Sequence, residues 1–323
     1  MLDVFFYEAF EEEEALLKRS LPPGVRAGFA RLTLQERGDT APPAAIISIR
    51  TQSLIPSAWA GSIRAVLTRS TGYDHVAAFR EKTGAPLPCG YLPSYCARAV
   101  AEHAALLWLA LLRRLPLQAR QMDSFNRDGL TGSEAAGRCL LVAGVGHIGH
   151  EVAAIGRGLG MEVLGMDIVR RFSDITYVDA EEGLRRADVI VCAMSLNNSS
   201  RRFFRHERFG DVRPGCVFVN VARGEISPST DLLRLMRESR LAGIGLDVFD
   251  HESDLAVSLR SGRQSADPEV AACLELRSFP NVILTPHNAF NTIEAVGRKA
   301  AQAVAEVTRF MRDGDFTWPV PEE

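Results

Sequence analysis

No stretch of the sequence is apolar for long enough to cross a bilayer. The strongest run, Ala104 to Ala110 with Leu111 and Leu112 behind it, stops at Arg113 and Arg114, well short of the roughly 20 residues a membrane helix needs. It reads instead as a buried helix. A strong charge of one sign is also missing. With 37 Lys and Arg against 40 Asp and Glu, the net charge is −3, and both signs are mixed along most of the chain, so no general field draws nucleic acid or an anionic membrane. Small molecules are the expected partners, with no nucleic acid and no membrane among them. The opening MLDVFFYEAFEEEE has no basic segment and turns acidic where a secretory signal would carry its cleavage site, so a cytoplasmic location is expected. The cysteines Cys89, Cys96, Cys139, Cys192, Cys216 and Cys273 include no CxxC pair. Several lie in apolar strand-like runs, which points to buried, reduced thiols, with no metal expected. Fixed-period repeats are absent, and the run EEEE at 11–14 reads as a solvated helix start.

What is present is length, apolar content and alternation. The 323 residues are 46% hydrophobic, enough for a sizeable core and two domains. Short β-type runs alternate with helical patterns at Leu2–Tyr7, Ala44–Ile49 and Ala65–Thr68. The alternation resumes at Leu140–Ala143, Glu162–Met166, Asp188–Ala193, Cys216–Val221, Ala242–Val248 and Val282–Thr285, which predicts α/β architecture with doubly wound parallel sheets. Tyr95 to Arg114 predicts a long helix crossing from a first domain into a second, and Thr292 to Met311 a final helix. The expected division is residues 1–95 with 292–323 as a smaller domain, and 96–291 as a larger, doubly wound domain.

The stretch VAGVGHIGHEV supplies the first chemistry. Gly144, Gly146 and Gly149 follow a strand and precede a helix, so main-chain N–H groups gather at a helix N-terminus, where a pyrophosphate fits. Gly144 allows the sharp turn, Gly146 removes a side chain that would block the phosphate, and Gly149 permits close helix packing. After the next strand, Asp167 can accept hydrogen bonds from both adenosine-ribose hydroxyls and would repel a 2′-phosphate. NAD is therefore the expected cofactor, although Arg170 and Arg171 lie near enough to compensate a phosphate, and Asp167 could also serve as a helix cap.

In open parallel sheets ligands bind beyond the carboxyl ends of the strands. After CVFVNVA comes Arg223; after GIGLDVF come Asp250, His251 and Glu252, with Asp247 in the strand's last turn; after VILTP comes His287. A cation, carboxylates and an imidazole at this edge suit hydride transfer at an alcohol carbon. Histidine can handle the alcohol proton, a guanidinium can hold a substrate carboxylate, and a glutamate can fix the imidazole. Arg223 could also be a solvated turn residue, and His287 a loop histidine bonded to backbone.

The chain resembles the D-isomer-specific 2-hydroxy acid dehydrogenases through GVGHIG with Asp167, NVARGEI, GLDVFDHE and TPHNAFNTIEA, and lactate-type members through FFYEAFEEEEALL, TRSTGYDHV, YCARAVAEH and HNAF. The resemblance implies that Arg223 binds the substrate carboxylate, Glu252 supports the histidine, and His287 is the general acid/base. It implies that main-chain N–H groups of Ser70, Thr71 and Gly72 meet the same carboxylate, that Tyr95 and Phe290 meet the substrate's side chain, and that Asp247 lies near the nicotinamide carboxamide. The candidate cofactor contacts are Gly144, Gly146, His147, Ile148, Gly149, Asp167, Ala193, Ala222 and Asp247. The resemblance also implies a flavodoxin-like substrate domain over 1–95 with 292–323, a Rossmann-type dinucleotide-binding domain over 96–291, a cleft between the domains and a homodimer.

The sequence departs from the family in two places. Ser195, Leu196 and Asn197 stand where many members have a Pro-Leu-Thr turn beside the cofactor. After Glu252, the segment 253–279 reads as a long loop that covers the site or forms surface, with Arg260 and Arg263 solvated. Glu102 and His103 read as satisfied polar groups of the buried helix. A dinucleotide-sensing corepressor is an alternative from another class. So is an enzyme for formate, phosphite or a phosphorylated hydroxy acid, for which Arg50, Arg69 and Arg98 are the candidate first-domain cations.

Overall fold

The computed structural model describes residues 2–210, 212–262 and 265–321; Arg263, named above, lies outside them. The chain forms two compact units, Met1–Cys96 with Asn291–Glu323, and Ala97–Phe290. The first opens with β1 (Leu2–Phe6), α1 (Glu11–Ser20), β2 (Ala27–Phe29), α2 (Leu34–Arg37), β3 (Ala44–Ile49), β4 (Ala65–Thr68), α3 (Asp74–Thr83) and β5 (Cys89–Gly90). Its strands pair in parallel in the order β2-β1-β3-β4-β5, the flavodoxin-like winding. All of β4 and most of β3 are buried, as expected for strands covered on both faces.

The second unit contains α4 (Ala97–Leu112), α5 (Leu115–Gln121), β6 (Cys139–Ala143), α6 (His147–Gly158), β7 (Glu162–Met166), β8 (Thr176–Tyr177), α7 (Ala180–Arg186) and β9 (Val189–Cys192). It continues with β10 (Cys216–Asn220), α8 (Ser229–Arg237), β11 (Leu241–Leu246), α9 (Glu252–Ser261), α10 (Pro268–Leu276) and β12 (Val282–Leu284). The order β12-β11-β10-β9-β6-β7-β8 is a doubly wound sheet whose direction of travel reverses between β6 and β9, the position where such sheets bind dinucleotides. The chain then returns to the first unit as α11 (Ile293–Asp313), where the Thr292 hydroxyl accepts from the Ala295 N–H at 3.1 Å.

Three expectations need correction. The helix predicted over 95–114 begins at Ala97 and belongs to the second unit. It packs on β10 and β11, and Gly243 and Gly245 leave room for it: a Cβ at either would come within 3.1 Å of Leu111 or Leu107. The segment 253–279 holds most of α9 and all of α10, and Val270, Cys273 and Leu276 are core residues. Within EEEE, Glu13 is only 1% exposed, so the run is not simply a solvated helix start. All six cysteines are free and buried; burial pushes the Cys192 thiol up to about 12 and keeps it protonated.

Candidate active site

The glycines after β6 do different physical work. Gly144 has φ +88, and a Cβ there would lie 2.6 Å from the Ala193 backbone. A Cβ on Gly149 would sit 2.0 Å from the Gly144 carbonyl oxygen, so α6 could not approach the strand with a side chain there. Gly146 is different: a Cβ would meet nothing within 4 Å. It is also the N-cap of α6 and offers no side-chain cap to the first-turn N–H groups. An open cradle at an uncapped, positively polarised helix end fits a pyrophosphate. His147 is exposed and Ile148 half-buried on that first turn.

Asp167, at the end of β7, ties this loop to the next. Its carboxylate accepts from the Val145 N–H at 2.6 Å and from the Val169 N–H at 2.9 Å; each oxygen retains a further lone pair for a ribose hydroxyl. Arg170 lies over the Tyr177 ring at 5.8 Å. After Ala193, the unusual Ser195–Asn197 turn closes on itself. The Asn197 side-chain carbonyl accepts from the Ser199 and Ser200 N–H groups, and the Ser200 hydroxyl donates to the Ser195 carbonyl at 2.7 Å.

The ends of β10, β11 and β12 are stitched together. Glu252 is the first residue of α9, and both its oxygens lie at 2.9–3.0 Å from His287 Nδ1. His287 has φ +51, a left-handed backbone that a non-glycine residue adopts at a cost. Asp247, 1% exposed, holds that backbone: its carboxylate accepts from the N–H groups of Asn288 and Ala289 at 2.9 and 2.8 Å and from the Thr285 hydroxyl at 2.6 Å. Arg223 follows β10 and is half-buried, with Nη1 donating to the Ala222 carbonyl at 2.8 Å. Gly224 lies so close to the chain before Glu252 that a Cβ would fall 1.8 Å from the Phe249 carbonyl carbon. The strand ends carrying Arg223, Glu252 and His287 therefore meet at one edge of one sheet.

Two contributors were not anticipated in these roles. His103 Nε2 lies 3.0 Å from the Thr285 hydroxyl and 3.6 Å from Asp247, which ties α4 to the histidine turn. Asn220, fully buried at the end of β10, donates to the Arg223 carbonyl at 2.9 Å and accepts from the Ala222 N–H at 2.9 Å. A lone amide closing the apolar strand CVFVN was its only sequence signal. Glu102 is a correction: it is exposed and pairs with Arg98 at 2.6 Å. Arg98 is another, since it stands on α4 in the second unit and not among first-domain cations.

In the first unit, the Ser70 hydroxyl donates to the Gly72 carbonyl at 2.7 Å and lies 2.6 Å from the Thr68 hydroxyl. The Thr71 hydroxyl donates to the Leu92 carbonyl at 3.2 Å. Tyr95 is buried, its carbonyl accepting from Arg298 Nε at 2.8 Å and its ring lying 6.0 Å from Lys299 Nζ. Phe290, the last residue of the second unit, is half-buried. Arg69, proposed above as a phosphate cation, is fully buried and bonded to Glu13 at 2.9 Å; Lys299 pairs with the other Glu13 oxygen at 3.0 Å. Burial raises the Glu13 carboxyl, but the charges of Arg69, Lys299 and Arg50 outweigh it and bring it down to about 2. Burial, then the charges of Arg50 and Arg69, push Lys299 down to about 7 against the pull of Glu13.

Known proteins resemble this chain over most of its length. Residues 105–289, more than half of the chain, match the family model for the NAD-binding domain of D-isomer-specific 2-hydroxyacid dehydrogenases. A protein named D-lactate dehydrogenase kk1H from Curvularia clavata is 28% identical over 245 residues, 74% of this chain and 69% of that protein. An aromatic 2-oxoacid reductase from Clostridium sporogenes is 27% identical over 258 residues, 78% of this chain and 77% of its own length. Among solved structures, D-lactate dehydrogenase from Aquifex aeolicus, crystallised with NAD and lactic acid, superposes with TM-score 0.84 at 25% identity, covering 99% of this chain and 100% of that one. With a dinucleotide cradle at the switch point and a glutamate-backed histidine on the same sheet edge, the chain belongs to the D-isomer-specific 2-hydroxyacid dehydrogenases, NAD-dependent enzymes that move a hydride at C2 of a small 2-hydroxy or 2-oxo acid.

Proposed function

We propose that the chain reduces a small 2-oxo acid, pyruvate first among them, to its D-2-hydroxy acid, with His287 donating the proton. The observation that carries this reading is the Glu252–His287 pair at 2.9 Å on a turn locked by Asp247. Glu252 commits Nδ1 and fixes the ring, which leaves Nε2 to hold the proton given to the carbonyl oxygen. Arg223 grips the substrate carboxylate and polarises the adjacent carbonyl; the N–H groups of Ser70, Thr71 and Gly72 add donors to the same carboxylate. Tyr95 and Phe290 meet the substrate's side chain. NADH, when bound, supplies the hydride. Gly144, Gly146, His147, Ile148 and Gly149 hold its pyrophosphate and Asp167 its ribose, while Ala193, Ala222 and Asp247 border the remainder.

The named relatives include both lactate and aromatic 2-oxo acid enzymes, so the test uses a panel. Purified protein, NADH and pyruvate, phenylpyruvate or a phosphorylated 2-oxo acid should give loss of absorbance at about 340 nm, the band of the reduced nicotinamide. No turnover with any of them refutes the reading. A homodimer in the cytoplasm completes the proposal. Leu106, Leu115, Met122 and Phe125, on α4, α5 and the turn after it, are 51–72% exposed, an apolar stretch suited to a second copy, and the buried free cysteines suit a reducing compartment. A monomer mass by light scattering at micromolar concentration excludes the dimer.

A further inference from the structure

A loop can present main-chain N–H groups to a carboxylate only if the chain entering it is fixed. The residue that enters Ser70–Gly72 is Arg69, and its whole side chain is out of water. Its guanidinium donates in three directions: Nε to Glu13 at 2.9 Å, Nη1 to the Ser48 hydroxyl at 3.0 Å, and Nη2 to the Tyr7 carbonyl at 2.7 Å. These partners come from α1, β3 and the end of β1, so one planar fork ties the start of the loop to three separate elements. Glu13 in turn is held by Lys299 of α11 at 3.0 Å. The far side of the loop is fixed as well. Ser70 spans to the Gly72 carbonyl and to Thr68, whose hydroxyl lies 3.0 Å from His75 Nε2.

An apolar side chain of similar volume would fill the Arg69 site without desolvating an ion. What the guanidinium adds is direction, because its five donors are rigidly disposed. We propose that Arg69, oriented by Glu13, is the positioning residue of the Ser70–Gly72 loop and sets where the loop's N–H groups meet the carboxylate of the 2-oxo acid. This rests on the reading of that loop as a carboxylate site.

The test is steady-state kinetics of the full chain carrying Arg69→Met, Arg69→Lys or Ser48→Ala, with oxamate as a non-reacting carboxylate probe at saturating NADH. A donor misplaced by an ångström costs about 100-fold, so Arg69→Met should raise the KM for pyruvate and the oxamate inhibition constant together by roughly 10- to 100-fold. Turnover at saturation and the Kd for NADH should stay within about threefold, since the catalytic and nucleotide groups stand in the other unit. Arg69→Lys should recover part of the loss, and Ser48→Ala should show a smaller shift in the same direction. Should Arg69→Met not fold, as NADH binding and urea unfolding report, the other two variants decide. Unchanged KM and oxamate binding in folded variants, or a fall in turnover alone, overturns the proposal. Thr71→Pro, which deletes one loop N–H, separates the two claims. A raised KM there with silent Arg69 variants refutes only the positioning role, whereas an unchanged KM there refutes the loop as a carboxylate site.

Discussion

Lys299→Met tests how the buried charge of the first unit is balanced. The ammonium is 1% exposed and shares Glu13 with Arg69, so Glu13 keeps a cation when Lys299 is removed. Methionine fills much the same space without a charge to desolvate. Burial and two neighbouring cations bring Lys299 from 10.5 to about 7. Below about pH 7 the side chain is protonated in both states, and the fold carries the full cost. Between about 7 and 10.5 the unfolded chain binds a proton that the folded chain does not, so stability rises with pH. Integration between the two values makes the variant more stable than the parent by at most about 5 kcal/mol at pH 6 and at most about 2 kcal/mol at pH 9. The narrowing with pH follows from the sign of the shift alone. Urea midpoints of both proteins at these two pH values provide the measurement. A variant less stable than the parent at both would mean that the attraction to Glu13 exceeds the desolvation cost, and the reasoning would fail.

Four further variants probe the nucleotide turn and the histidine turn. His287→Ala should lower kcat by roughly 10²–10⁴ with NADH affinity intact, and a near-normal rate in single turnover removes it as the proton donor. Gly146→Ala should fold normally, since its Cβ meets open space, yet weaken NADH binding by about tenfold or more through lost access to the helix N-terminus. Gly149→Ala, with its Cβ 2.0 Å from a carbonyl oxygen, should instead lose thermal stability outright, and equal behaviour of the two glycine variants in calorimetry and NADH titration contradicts the assignment. Asp247→Asn places an amide where three donors converge; it should cost about 1–3 kcal/mol in urea unfolding and lower kcat as the His287 turn loosens, whereas a loss of NADH affinity alone would show that its main role lies with the cofactor.

The fold was legible in the central strands and at the edge strand β12, and it went unseen at the other three sheet edges. The longer strands carry continuous apolar runs because both faces are covered. Ala27–Phe29, Cys89–Gly90 and Thr176–Tyr177 stand at sheet edges and have only two or three residues, too few for any periodicity to show. The helices α9 and α10 are hidden by a comparison: a segment longer than its family counterparts reads as loop, although Asp267 caps α10 through the Glu269 and Val270 N–H groups. Glu13 was hidden by its neighbours. Four consecutive glutamates suggest solvent, yet Glu13 and Leu17 lie one helical turn apart and are the buried pair of α1. The partners that give Glu13 a reason to be buried are far away in the chain, at Arg69 and Lys299.

The sheet edge that carries Arg223, Glu252 and His287 shows the same limit at higher resolution. Residue types at strand ends were enough to nominate Arg223, Glu252, Asp247 and His287, because parallel sheets bring those ends together. Types do not say which atoms meet. Two carboxylates stand near one histidine, and the structure divides their work: Glu252 takes the ring nitrogen, whereas Asp247 takes the backbone on either side of the histidine through Thr285, Asn288 and Ala289. A left-handed residue costs about 1–2 kcal/mol, and each main-chain N–H bound to a carboxylate returns a comparable amount. His287 can therefore hold an unfavourable backbone with its ring aimed at Glu252 only while the buried Asp247 carboxylate accepts from the Asn288 and Ala289 N–H groups. That makes the aspartate a condition of the geometry in which Glu252 meets His287.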